Sequence, residues 1–132
     1  MFEQLTERQE AVLRMVVRDY IESGKPVGSV ALLKNHDLGV SSATIRNELA
    51  TLGELGYLAQ LHTSAGRIPT EQGYRYFVLK LLGEFHLPVS EQQIIRTQFD
   101  QARLDISRWM QLAAAILART SQGASVVTAK GR

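Results

Sequence analysis

Apolar residues recur at helical spacing in residues 40–56, with polar and small residues between them. Ile45, Leu49 and Leu52 stand at positions i, i+4 and i+7, which places their side chains on one face of a helix. Ser41 precedes this stripe and can cap the helix, because its hydroxyl can accept a hydrogen bond from a backbone N–H of the first turn. The pattern therefore predicts an amphipathic helix with one buried face.

The opposite face of this helix, through residue 50, is small or hydrogen-bonding and carries no acidic side chain. Arg46 can donate two hydrogen bonds to guanine, and Asn47 can pair with adenine. Ala43 and Ala50 leave room for close approach. These features indicate a DNA-recognition helix, although an ordinary surface helix with a polar exterior would share them. The residues expected at the DNA are Ser41, Ser42, Ala43, Thr44, Arg46, Asn47 and Ala50, with the hydroxyl residues at the helix N-terminus expected to hold phosphates.

Apolar periodicity also predicts two helices before this one. Thr6 and Gln9 have the spacing of a capping box, and apolar residues continue at helical spacing through residues 13–21. A proline turn follows at residues 25–28, and Ser29 is predicted to cap a short second helix. Two helices joined by a tight turn form a helix-turn-helix, whose second helix enters the major groove. The residues of this segment expected at the DNA backbone are Lys25 and Ser29.

A β-hairpin is predicted after the recognition helix. Residues 57–61 have strand character, and Ile68 begins a second strand that Pro69 cuts short. The tip between them holds small hydroxyl residues, a glycine and an arginine, so it can follow a phosphate backbone and place Arg67 in a minor groove. Any exposed hairpin tip could have this composition. The wing residues expected at the DNA are His62, Thr63, Ser64, Gly66 and Arg67.

Thr70 is predicted to cap a closing helix through residues 73–82 that completes the core. The predicted fold class is therefore mainly α: a winged helix-turn-helix with a small β-hairpin wing, followed by two amphipathic helices. The predicted domains are a DNA-binding domain at 1–82, a linker at 83–89, a helical dimerisation or connector segment at 90–122, and the start of a further, truncated domain at 123–132.

Two apolar stripes define the helices after the linker. Ser90 and Gln93 have capping-box spacing, and the second helix is expected from about residue 105 until Gly123 ends it. Because the winged helix already has a core, the two stripes are expected to pair with each other and with a second chain. Residues 125–129 read as a strand without a partner, which indicates a chain cut off at the start of a further domain. The first stripe is Ile94, Ile95, Phe99 and Ala102, and the predicted dimer seam is Trp109, Leu112, Ile116 and Leu117.

Charge and composition narrow the function further. The formal net charge is +2, and residues 1–80 carry nine basic and nine acidic side chains, so a DNA-binding surface must come from the placement of charges. The absence of cysteine excludes disulfides and thiolate chemistry. The three histidines, His36, His62 and His86, stand apart without a carboxylate pair or a phosphate-binding loop, so no enzyme, metal site or cofactor is predicted. No signal-peptide or membrane-spanning pattern is present, and we expect a cytoplasmic protein.

Six motifs follow one another along the predicted winged helix. They are LTERQ at 5–9, DYIESGKPVGS at 19–29, LGVSSATIRNEL at 38–49, LGYL at 55–58, HTSAGRIPT at 62–70 and GYRYFV at 73–78. Together they resemble the N-terminal part of the HrcA family, the heat-inducible transcription repressors of bacteria. The resemblance implies a homodimer that binds an inverted-repeat operator in double-stranded DNA upstream of chaperone genes, with a chaperonin promoting the active fold.

Three positions depart from the family pattern. Val30 stands where a basic or polar residue is usual, and Leu61 replaces the proline before the wing. The acidic residue that the family pattern has near Gly53 is missing, and a glycine inside a helix costs about 1 kcal/mol relative to alanine. Family members also continue into a sensor-like domain. A second hypothesis therefore remains, in which the chain is a winged-helix protein-interaction module or a truncated regulator that acts through heterodimers.

Overall fold

The computed structural model describes residues 5–37, 39–61, 66–84, 87–103 and 105–130, and it gives the side chains of all of these except 81–83 and 119–130. The chain divides into two compact units, residues 1–74 and 75–132. Within the described residues, six helices and one antiparallel pair of strands confirm the predicted class. The elements are α1 (Glu7–Ser23), α2 (Ser29–Asn35), α3 (Ser42–Glu54), β1 (Leu58–Gln60), β2 (Arg67–Pro69), α4 (Glu71–Glu84), α5 (Val89–Gln101) and α6 (Ile106–Lys130).

The ends of α1 are set by local sequence, as predicted. The Thr6 hydroxyl accepts a hydrogen bond from the backbone N–H of Gln9 at 3.1 Å, and the Gln9 side chain accepts one from the backbone N–H of Thr6 at 2.9 Å. Gly24 ends the helix with φ 69°, a left-handed conformation that favours glycine. One face of α1 is buried in the first unit and consists of Val12, Leu13, Val16 and Val17.

The predicted stripe of α3 is the other main part of this core. Ile45 and Leu52 are fully buried and Leu49 is 4% exposed. Ser41 is the N-cap, and its hydroxyl accepts a hydrogen bond from the backbone N–H of Thr44 at 3.2 Å. The predictions of a capped amphipathic helix and of its buried face are thus confirmed. Burial of this stripe fixes which side of α3 faces outward.

The wing is joined to the helices because β2 pairs with β1 on one side and with Val27, in the segment between α1 and α2, on the other. β1 pairs with β2 in antiparallel register, with Gln60 opposite Arg67 and Leu58 opposite Pro69. On its other side, Arg67 exchanges two backbone hydrogen bonds with Val27, of 2.8 and 2.9 Å, in the segment between α1 and α2. The second strand therefore begins at Arg67, one residue before the predicted start. Val27 lies in what the sequence predicted as a simple proline turn.

Thr70 fastens the end of α3 to the start of α4. Its hydroxyl accepts a hydrogen bond from the backbone N–H of Gly73 at 3.1 Å, as predicted for a cap, and donates one to the carbonyl of Gly56 at 2.6 Å. α4 begins in the first unit and continues into the second, so the predicted domain boundary at residue 82 falls inside this helix.

The second unit is organised around Trp109. This side chain is fully buried, its ring centroid lies 4.3 Å from that of Phe99, and its indole N–H donates to the carbonyl of Ala102 at 2.9 Å. Arg75 lies 5.9 Å from the Trp109 ring centroid and forms an ion pair with Asp100 at 3.1 Å. The helices α5 and α6 therefore pair through their apolar stripes, as the sequence predicted.

The predicted dimer seam needs correction. Trp109, Leu112 and Ile116 are at most 7% exposed within a single chain, so they do not present an apolar surface to a second chain, whereas Leu117 is half-buried. For Trp109, Phe99 of α5 and the carbonyl of its C-cap Ala102 supply partners within the chain. Ile94, predicted to lie in the apolar stripe of α5, is 60% exposed, because the buried face of α5 runs through Ile95 and Phe99 instead.

Two predicted caps are also wrong. Ser29 is the first residue of α2 and not its cap, since Gly28 is the N-cap. Ser90 lies inside α5, which has Pro88 as its N-cap and receives no side-chain cap. Instead, the Gln92 amide donates to the carbonyl of Leu87 at 2.7 Å.

The predicted end of the last helix and the strand after it are wrong as well. α6 continues through Gly123 and across residues 125–129 to Lys130. A strand requires a neighbouring strand to pair its backbone groups, whereas a continuing helix pairs them within itself. The described residues contain no third strand that could serve these positions.

Candidate nucleic-acid interface

The outward face of α3 presents most of the predicted recognition residues. Ser42, Ala43, Arg46 and Asn47 are exposed, and Ala50 is half-buried. Within the described residues, no hydrogen bond or ion pair engages the Arg46 guanidinium, so its donors point to solvent. Five N–H donors in a planar fork suit a guanine edge or a phosphate. This face can therefore donate hydrogen bonds into a groove of DNA.

The N-terminus of α3 uses two of its predicted phosphate-binding hydroxyls for its own cap. Ser41 accepts from the backbone N–H of Thr44, and the two side-chain oxygens lie 3.1 Å apart. Ser42 stands beside them, exposed and at the first helical position. Because the first backbone N–H groups of a helix have no partner within it, this end keeps a partial positive charge that favours an anion.

The C-terminal end of this face of α3 carries an acidic residue. Glu54 is exposed and follows Asn47 and Ala50 at helical spacings of seven and four residues. The positive and hydrogen-bonding part of the face is therefore the N-terminal half of α3. The Glu54 carboxylate would repel an anion, so the N-terminal half is the part of this face that suits a phosphate.

A groove of about 420 Å³ adjoins Arg46. The start of α2, the side of α3 and both strands contribute to it, and its lining residues are Gly28, Ser29, Val30, Arg46, Leu49, Gln60 and Arg67. Val30 is 76% exposed at the start of α2. Ser29, predicted to contact the DNA backbone, is half-buried in this groove, and Lys25 is exposed in the turn before α2.

The wing residues fall into two groups. His62, Thr63 and Ser64 lie outside the described residues. Gly66 is buried, and a Cβ atom on it would come within 2.6 Å of Pro26, so its placement at a DNA-contacting tip is wrong. Arg67 is half-buried at the base of the wing in β2 and not at the tip, since its backbone pairs with both Val27 and Gln60.

Sequence reasoning missed several residues of this region. Gln60 and Leu49 line the groove because strand pairing and the rotation of α3 bring them there. His36, expected at a surface turn, bonds through Nε2 to a carboxylate oxygen of Asp19 in α1 at 3.0 Å, and therefore holds the end of α2 against α1. Nothing in the local spacing of these residues indicated such long-range contacts.

No helix in the described part of the chain is both long enough and apolar enough to cross a membrane.

Comparison with known proteins gives relatives over most of this chain. No protein-family model matches. The heat-inducible transcription repressor HrcA of Roseiflexus castenholzii is 54% identical over 94% of this chain and 34% of its own length. The repressor of the same name from Chloroflexus aurantiacus is 49% identical over 95% of this chain and 34% of its own length, and that of Bifidobacterium adolescentis is 48% identical over 92% and 32%.

A solved structure, described as that of a hypothetical protein, is 49% identical and covers 60% of this chain and 25% of its own, with a TM-score of 0.58. This chain spans about a third of the length of the curated relatives that it matches. Those relatives are named as transcription repressors and not as enzymes. The resemblance seen in the motifs is thus confirmed, and over 94% of its length this chain is homologous to the N-terminal third of the HrcA heat-inducible transcription repressors.

Proposed function

We propose that this chain is a DNA-binding unit of a heat-inducible transcription repressor and that it reads an inverted-repeat operator upstream of chaperone genes. The outward face of α3 carries this proposal, because Arg46 and Asn47 lie exposed on it together with the small side chain of Ala43. The names of the relatives support the repressor role. Such a role would be performed in the cytoplasm.

In the proposed complex, α3 enters the major groove and its N-terminal half meets the bases. Arg46 donates two hydrogen bonds to a guanine and Asn47 pairs with an adenine. Ser42 and the N-terminus of α3 hold a phosphate, and Lys25 and Ser29 hold the neighbouring backbone. The wing tip with His62, Thr63 and Ser64 follows the adjacent backbone.

An inverted repeat requires two winged helices at a fixed spacing, so the proposal includes a homodimer. Because Trp109, Leu112 and Ile116 are buried within a single chain, the proposed dimer contact would use surfaces other than these three residues. Control by a chaperonin, which the family resemblance implies, belongs to the same proposal.

The charge of the first unit favours a second candidate, a protein-interaction module. Residues 1–74 carry seven basic and nine acidic side chains, which gives a net charge of −2. A DNA-binding protein shows a steep fall of affinity with salt because counterions are released from DNA, whereas an apolar protein interface does not. The salt dependence of binding therefore separates the two candidates.

Arg46→Ala tests the proposed base contact. We expect this variant to lose about fivefold to 150-fold in affinity for the operator duplex, corresponding to about 1–3 kcal/mol, and much less for a scrambled duplex. Fluorescence anisotropy measures both affinities. Arg18→Ala is the matched control, because Arg18 is an exposed arginine on α1 whose removal changes the net charge equally. Equal losses of Arg46→Ala on the two duplexes would contradict a base-reading role.

A further inference from the structure

Gly53 lies in the last turn of α3, and the space beside it is filled by Arg67. A Cβ atom on Gly53 would collide with Nη1 of Arg67 and would lie 3.6 Å from its Cζ atom and 3.9 Å from the carbonyl oxygen of Leu58. The guanidinium therefore occupies the place that a side chain at position 53 would take. The backbone of β1, at the Leu58 carbonyl, lies at an ordinary contact distance from this position, so the end of the Arg67 side chain is the part of the wing that a side chain at position 53 would displace.

The charge of Arg67 suits this place. The last turn of α3 contains no basic residue of its own, and the C-terminal end of a helix carries a partial negative charge. Within the described residues, no ion pair with a carboxylate involves Arg67. The positive charge of Arg67 thus complements the C-terminal end of α3.

The backbone of Arg67 is fixed at the same time. It pairs with Gln60 in β1 on one side and exchanges two hydrogen bonds with Val27 on the other. One residue therefore connects both strands, the segment before α2 and the last turn of α3. A residue held in this way has little freedom to reach outward to a phosphate.

We infer that Gly53 is a positioning residue, whose bare Cα gives the Arg67 guanidinium a seat that holds the wing at a fixed angle to α3. Arg67 then supports DNA binding by aligning the wing with the recognition helix, and not by neutralising a phosphate. The inference rests on the proposed DNA-binding function and replaces the direct contact that the sequence suggested for Arg67. Alanine at position 53 would displace the guanidinium while improving the helix propensity of α3.

The test compares Gly53→Ala, Arg67→Ala and the double variant with the unaltered 132-residue chain in salt-series anisotropy on the operator duplex. We expect each single variant to lose about fivefold to tenfold in affinity, corresponding to about 1 to 1.4 kcal/mol, and the double variant to lose no more than either one. The slope of log affinity against log salt stays unchanged, because no phosphate contact is removed. A direct phosphate contact by Arg67 would lower the magnitude of that slope by about 0.9 in Arg67→Ala and would overturn the inference.

Thr51→Ala is the matched control. Thr51 lies in the same turn of α3 but two residues from Gly53, which places it on the far side of the helix. It also gains helix propensity without a change of charge. We expect its operator affinity to stay within about twofold of the unaltered chain. Unchanged affinity of Gly53→Ala would overturn the inference.

A second readout needs no DNA, and it separates failure of this inference from failure of the proposed function. If the unaltered chain binds operator and scrambled duplex alike, the proposed function fails. Thermal unfolding followed by circular dichroism would still test whether the Arg67 guanidinium occupies the space beside Gly53. We expect Gly53→Ala to raise the unfolding midpoint in the Arg67→Ala background, where no guanidinium must move, and to leave it unchanged or lower it when Arg67 is present. Equal shifts in the two backgrounds would show that the guanidinium does not occupy the seat.

Discussion

The Tyr74 hydroxyl is buried in the first unit without a hydrogen-bond partner among the described residues, which makes Tyr74→Phe an informative substitution. The side chain is 0% exposed. A buried polar group without a partner costs about 1–3 kcal/mol, because its hydrogen bonds to water are lost on folding and not replaced. Phenylalanine keeps the ring and removes the hydroxyl. We therefore expect the free energy of unfolding of Tyr74→Phe at pH 7 to equal that of the unaltered chain or to exceed it by up to about 1 kcal/mol.

The same burial gives a pH dependence with a definite sign. Burial raises the pKa of the Tyr74 phenol above its usual value of 10.0, and the nearby Tyr20 adds to the shift. Above pH 10 the unfolded chain has released this proton while the folded chain still holds it. Unfolding then releases a proton, so the free energy of unfolding falls by about 1.4 kcal/mol for each further pH unit. Tyr74→Phe lacks this contribution.

Urea denaturation followed by far-UV circular dichroism between pH 7 and 11 measures the effect, and the difference between the two proteins removes the contributions of other titrating groups. We expect this difference to be constant up to about pH 9 and then to grow in favour of the phenylalanine variant. A loss of 1 kcal/mol or more at pH 7 would mean that the hydroxyl has a partner in the folded protein. A constant difference up to pH 11 would mean that the phenol ionises as it does in water.

Two further substitutions test the connections within each unit. Thr70→Val keeps the volume but removes the hydroxyl that joins Gly73 to Gly56. We expect the free energy of unfolding, measured by chemical denaturation, to fall by about 2 kcal/mol. A fall of less than about 0.5 kcal/mol would contradict the assigned hydrogen bonds. Trp109→Phe removes the indole N–H that bonds to the carbonyl of Ala102, together with part of the buried ring. We expect it to destabilise the second unit by about 2 kcal/mol and to increase amide hydrogen exchange in α5 and α6. Unchanged exchange there would show that Trp109 does not organise this unit.

Local sequence predicted the parts of the fold that local interactions determine. The capping box at Thr6, the cap at Ser41 and the stripe through Ile45 each depend on residues within two helical turns. Their side chains and backbone donors are brought together by the helix itself. The order of the elements in the winged helix and the exposed face of α3 follow from these signals.

Contacts between distant residues were not predictable in this way. Val27 and Arg67 pair across forty residues of sequence, and this pairing moves Arg67 from the expected wing tip to its base. Gly53 looked like a weak point of α3, whereas its missing side chain accommodates that arginine. The seam at Trp109 had the correct period, but periodicity cannot tell whether the covering partner is α5 or a second chain.

The most direct test of the account is binding of the 132-residue chain to three duplexes, an inverted-repeat chaperone operator, a single half-site and a scrambled sequence, by fluorescence anisotropy across a salt series. We expect the tightest binding to the inverted repeat, weaker binding to the half-site, and a steep fall of both affinities with salt. Equal and weak binding to all three duplexes, or affinities that do not change with salt, would contradict the proposal that α3 reads DNA.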